Sequence, residues 1–183
     1  MLRALLLVSG ATTGWLGALI FAHSFSAIGA PRDSLHDLLS VYRCEVVHRL
    51  EQIYATGDPK LDDDRFLAVT VPEHPHGYVQ CMFHDERTAI YCEASSGFYY
   101  DEPRTFHQPP ETIEALARLG FNVDDSQGNF SVNFSIDTPP DFNAIADFML
   151  RALHDGYRAR ANTNLQFNAP FAPAVPSTCV PVG

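Results

Sequence analysis

Basic side chains are scarce in this sequence. Lysine and arginine together number 12 against 22 aspartates and glutamates, for a formal net charge of −10. Two of the twelve, Arg3 and Arg32, flank an N-terminal apolar segment, so beyond Arg32 only 10 basic residues face 22 acidic ones. Such a chain repels phosphate backbones, and no basic stripe with interleaved aromatics offsets this, which excludes nucleic-acid binding. Catalytic signatures are missing too. There is no G-x-S-x-G, H-E-x-x-H, P-loop or dinucleotide glycine fingerprint. No C-x-x-C pair occurs among the four cysteines, which removes the usual redox and zinc-ribbon patterns. What remains is apolar and foldable: 46% hydrophobic and 19% charged residues are the balance of a globular domain, not of a disordered one.

The run from Ala4 to Ala22 carries no charge, and the neutral stretch continues to Ala30. About twenty helical residues cross a bilayer, so one transmembrane helix is expected here. Gly10 and Gly14 form a GxxxG spacing suited to close membrane-helix packing. Arg3 places the N-terminus on the cytoplasmic side and the acidic domain outside, as a single-pass protein with lipid around its anchor. The rival is a cleaved leader, for which Ala22-His23-Ser24 offers a small-x-small site and a mature start near Phe25.

Ser34 opens an amphipathic helix with Asp37 in capping-box position, and Gly57-Asp58-Pro59 stops it. Leu35, Leu38, Leu39, Tyr42, Val46, Leu50, Ile53 and Tyr54 share one face. Strands are expected over Arg65–Val71, Gly77–His84 and Thr88–Ser95, the last two forming a hairpin across Asp85-Glu86-Arg87. A helix over Glu111–Leu119 follows, with Gly120 as its terminal cap. A short strand over Phe121–Asp124 precedes a clear one, in which Phe130, Val132, Phe134 and Ile136 alternate with polar residues. Thr138 and Pro139 start the last helix, whose buried side is Phe142, Ile145, Ala146, Met149 and Leu153. After Arg160 no charge remains and four prolines follow, as in an extended strap. The expected fold is α+β: an α-βββ-α-ββ-α antiparallel sheet packed with helices, preceded by one transmembrane helix. The domains are an anchor over 1–31, an α+β domain over 32–160 and a proline-rich tail over 161–183.

Tyr78-Val79-Gln80 at the second strand, Cys92-Glu93-Ala94-Ser95-Ser96 ending the third, Leu116-Ala117-Arg118-Leu119-Gly120-Phe121 leaving the middle helix, and Asn129-Phe130 carry a resemblance. Together with the element order, they make residues 34–157 similar to the type III secretion chaperone-like superfamily, which includes the YbjN proteins. The resemblance implies a non-enzymatic peptide-binding module that holds partner segments against its sheet or helices. The hydrophobic N-terminal segment and the proline-rich tail depart from the soluble, dimeric secretion chaperones.

If the hairpin turns around Glu86 and Arg87, Cys81 and Cys92 sit opposite each other within disulfide reach. A one-residue shift would put them on different faces, and two buried thiols are the alternative. Nothing in the spacing joins Cys44 to Cys179. His74, His76 and His84, beside Asp85, are the one metal-like cluster, and read better as surface histidines than as three convergent ligands. Asp62-Asp63-Asp64 lacks the glycine and terminal glutamate of an EF-hand loop. No catalytic residue, cofactor or metal is assigned. The expected role is a non-catalytic, membrane-anchored protein-interaction module, a peptide-binding chaperone-like factor or an accessory subunit of a membrane complex. An exported holdase-like protein and a metal enzyme built on the histidine loop are the alternatives.

Overall fold

Ser34 caps the first helix: its Oγ accepts from the Asp37 N–H at 3.2 Å and donates to the Asp37 carboxylate at 2.6 Å. It begins the described part of a computed structural model, which covers residues 34–56, 65–74, 76–100, 106–172 and 179. Helix α1 spans Leu35–Ala55 and buries Leu38, Val46, Leu50 and Ile53. The run Ala4–Ala22, with Gly10, Gly14 and His23, and the run Asp62–Asp64 lie outside the described residues. Among the described residues no helix is long and apolar enough to cross a membrane. The expected single-pass localisation is corrected accordingly.

Five strands form one antiparallel sheet: β1 (Phe66–Val71), β2 (Gly77–His84), β3 (Ala89–Ala94), β4 (Phe130–Ser135) and β5 (Gln166–Asn168), in the order β4-β3-β2-β1-β5. Between β2 and β3 the turn Asp85–Arg87 holds three consecutive residues at positive φ, 49°, 54° and 71°, a left-handed path without glycine. Helices α2 (Pro110–Arg118) and α3 (Phe142–Tyr157) complete the α+β fold.

Two expected elements change. The strand over Phe121–Asp124 shrinks to a single bridge, in which Asn122 and Ser131 exchange backbone bonds of 2.7 and 3.1 Å. The fifth strand comes instead from the tail, where Gln166–Asn168 pairs with Ala68–Thr70. The observed order is therefore α-βββ-α-β-α-β. The last helix also starts later than Thr138–Pro139. Pro139 precedes Pro140, and a residue before proline is driven out of the α region. Asp141 becomes the cap, accepting from the Ala144 N–H at 3.0 Å.

The period-two pattern of each strand sends one set of side chains inward. Leu67, Val69, Val79, Phe83, Ile90 and Phe130 are all buried on this side, under α1 and α3. Each such side chain contributes roughly 1.5–3 kcal/mol by leaving water. Helix α2 packs on α3, where the Thr112 hydroxyl donates to the Gly156 carbonyl at 2.8 Å. A Cβ at Gly156 would lie 3.1 Å from Leu116, so the close approach depends on that glycine.

The segment after α3 is tied to α1. Arg49, 8% exposed, bonds Glu45 at 2.7 and 3.0 Å and donates to the Ala172 carbonyl at 2.6 Å. Its guanidinium also lies 5.0 Å from the centre of the Phe167 ring. Tyr42 donates to the Thr163 carbonyl, and Cys44 is disulfide-bonded to Cys179. Arg43 holds α3 through a two-point bond to Asp147 at 2.6 and 2.8 Å. Arg49→Ala leaves the Glu45 carboxylate and the Ala172 carbonyl without their donor. Urea unfolding is expected to show a loss of about 2–3 kcal/mol, with faster amide exchange in Gln166–Asn168.

Candidate functional site

The outward-facing side chains of the sheet meet no described helix. Cross-strand register arranges them in rows. Phe66, Met82, Tyr91 and Asn133 form one, and Ala68, Gln80, Glu93 and Ser131 the next. Thr70 and Tyr78 begin a third. The strand residues of β1, β2 and β3 on this face are mostly partly exposed, in alternation with the fully buried inner set. The face thus combines apolar and aromatic contact surface with amide and hydroxyl groups.

At the end of the sheet where β1 stops and β2 starts, this face opens into a pocket of about 580 Å³. Tyr78, His74, His76, Tyr99, Tyr100 and Asn129 are among its walls. The pocket is fixed by the segment after β3. Asn129 donates through Nδ2 to the Tyr78 hydroxyl at 2.6 Å and accepts from the Ser96 N–H at 3.3 Å. Ser96 Oγ donates to the Gly128 carbonyl at 2.8 Å. Behind the pocket, the buried Tyr157 hydroxyl donates to the Ser95 carbonyl at 2.7 Å, and the His74 ring stands edge-on to Tyr157 at 5.4 Å. Gly97 makes the bend possible, because its φ is +91° and a Cβ there would collide with the Phe106 ring. The bend delivers Tyr99 and Tyr100 to the surface at 72% and 60% exposure.

Electrostatics at this end are set by burial and by one carboxylate. Burial raises the Tyr78 hydroxyl pKa above the usual tyrosine value, helped by nearby Glu93 and opposed by the Asn129 bond. Burial likewise raises Tyr91, and raises Tyr157 furthest. Tyr91 donates to the Glu93 carboxylate at 3.1 Å.

The residues singled out from sequence are distributed differently. Cys81 and Cys92 pair in register at the centre of the inner face, with sulfurs 2.03 Å apart and Cα atoms 4.1 Å apart, away from the outer surface. His74 and His76 line the pocket just before β2, but His84 ends that strand at its far end, about 25 Å away by strand rise. There it bonds the Asn133 side chain at 2.9 Å. Among the described residues no group of three or more metal-ligating side chains converges. Tyr78 and Asn129 entered the sequence reading only as part of the stretches that carry the resemblance, and Tyr99 and Tyr100 were not singled out. The local signal for Tyr99 and Tyr100 is the Phe98-Tyr99-Tyr100 run following a strand and a glycine.

A family model described as T3SS (YopN, CesT) and YbjN peptide-binding chaperone 3, TY-Chap3, matches residues 45–171. The match takes in all five strands, the pocket and both later helices. No curated protein and no solved structure matches the chain.

Two outcomes follow from the pocket's construction. Gly97→Ala is expected to cost about 1–3 kcal/mol in urea unfolding, because an L side chain at that φ is strained and meets Phe106. The tyrosines set an alkaline limit. A raised folded-state pKa means that the unfolded chain releases its proton first, so stability is whole below the ordinary value of 10.0 and falls as pH climbs above it. Urea midpoints between pH 8 and pH 11 should decline, and Tyr157→Phe should make the decline shallower while costing about 1–2 kcal/mol at pH 8 through the orphaned Ser95 carbonyl.

Proposed function

We propose that this chain, which belongs to the TY-Chap3 family of T3SS and YbjN peptide-binding chaperones, holds an extended segment of a partner protein across the outer face of its sheet. The observation that carries this reading is the face itself. All three described helices belong to the opposite layer, and the partly exposed outer face leads into a tyrosine-lined pocket at one end. Alternate side chains of an extended segment would rest on Phe66, Met82, Tyr91 and Tyr78, while polar neighbours such as Gln80 and Ser131 supply hydrogen bonds to its backbone. The role is non-catalytic: the protein binds, and the partner is what acts. The family's description as a chaperone supports this.

A peptide array of mixed sequence, probed with the labelled full chain, tests the reading. Bound peptides should lose at least tenfold in affinity to Ala68→Arg, which plants a long cation in the middle of the outer face. Thermal melting should be unchanged, because Ala68 is only partly buried. Arg151→Glu, on the exposed side of α3, should bind as the parent does. Loss of binding in the Arg151 variant with retention in the Ala68 variant would move the site to the helical layer.

A further inference from the structure

Glu93 is the only aspartate, glutamate, lysine or arginine in the five strands. It stands on the outer face, directly opposite Gln80 and one row from Tyr78. Elsewhere in the domain, carboxylates and guanidiniums answer one another: Arg43 with Asp147, Arg49 with Glu45, Arg118 with Glu114 and Arg158 with Glu111. All four pairs lie on the helices or, for Arg158, at the cap just after α3. Glu93 has no cation beside it among the described residues and receives only the Tyr91 hydroxyl.

Tyrosines are its neighbours on this end of the face. Tyr91 is two residues back on the same strand and face, and Tyr78 is the diagonal neighbour on β2. Tyr99, 72% exposed, overhangs from the pocket rim with its hydroxyl 3.1 Å from where a Cβ on Gly128 would stand. Tyr78 and Tyr99 line the same pocket, and Tyr78 is the residue that joins that pocket to the row of Glu93. Ring faces attract cations, and a carboxylate among them supplies the counter-charge. A planar guanidinium suits both, since it can stack on a tyrosine while its edge forks onto the carboxylate.

We infer that Glu93, with the rings of Tyr78, Tyr91 and Tyr99, is a recognition site for an arginine side chain of the bound segment. This inference rests on the peptide-binding reading and adds to it the chemistry of one anchor residue. An acidic domain whose outer face carries one unanswered carboxylate draws a basic segment to that position.

The probes are N-acetyl-arginine N-methylamide and its neutral citrulline isostere, titrated into the full chain while the tyrosine ring resonances are followed by NMR. The arginine probe should shift Tyr78, Tyr91 and Tyr99 at concentrations on the order of 10 mM, with citrulline at least tenfold weaker. Glu93→Gln and Tyr99→Leu should each weaken the arginine probe about fivefold or more at an unchanged melting temperature, because neither side chain belongs to the core. Equal binding of citrulline, or no ring shift, overturns the inference. The peptide array separates the two levels. Bound peptides without arginine enrichment, with silent rings, leave peptide binding standing and remove the arginine site. Ring shifts with an empty array keep the cation site and remove the peptide reading. Silence in both removes both.

Discussion

Tyr54 of α1, Phe83 of β2 and Phe142 of α3 meet edge to face, with ring centres 5.2 to 6.4 Å apart. This three-way aromatic contact marks where the two layers of the molecule are joined, and the rest of the architecture is arranged around that junction. Strand β2 is the middle of five, so whatever fixes its inner face fixes the register of its neighbours on both sides. A one-residue slip would turn Val79, Cys81 and Phe83 outward together and bring Gln80 and Met82 into the apolar layer. The polar and aromatic rows of the outer face are therefore a by-product of inner-face packing. Glu93 stands out in the open because Cys92 and Ala94 are held in.

The parts of the fold that local pattern determines were legible in the sequence. Ser34 with Asp37, the alternation from Phe130, and the two strand runs joined by the short Asp85-Glu86-Arg87 turn each involve residues a few positions apart. The tail was harder. Leu165, Phe167 and Ala169 do alternate with polar residues, but the pattern is short and the strand it marks is only three residues long. Its place beside β1 is fixed by contacts to α1, more than a hundred residues earlier, through Arg49 and Tyr42. The late start of α3 turns on two adjacent prolines, where the sequence offered Thr138 as an equally good cap.

The candidate site was legible only in pieces: Tyr78, Glu93 and Asn129 fall in stretches that carry the resemblance, but nothing local groups them with one another or with Tyr99. Tyr78, Glu93, Tyr99 and Asn129 come from four separate stretches, and only strand register and the bend at Gly97 bring them together. The histidines, which sequence proximity suggested as a group, are parted by the length of β2. The membrane localisation read from the N-terminal run is not carried by any helix among the described residues. What the resemblance to the chaperone-like superfamily implied about the domain agrees with the family match over residues 45–171.

The attachment of the last described segment to the first helix has a further consequence, for how the protein is made. A ribosome delivers α1 first, then β1, the hairpin, α2, β4 and α3, and residues 160–172 only after all of these. Until those arrive, Arg49 has no Ala172 carbonyl to reach and the outer edge of β1 has no β5. The nascent domain can close its central layer early, but one sheet margin stays unpaired until β5 emerges. Such a margin is a template for adventitious strand pairing, so the growing chain passes through the kind of vulnerable state that a chaperone normally guards against in others.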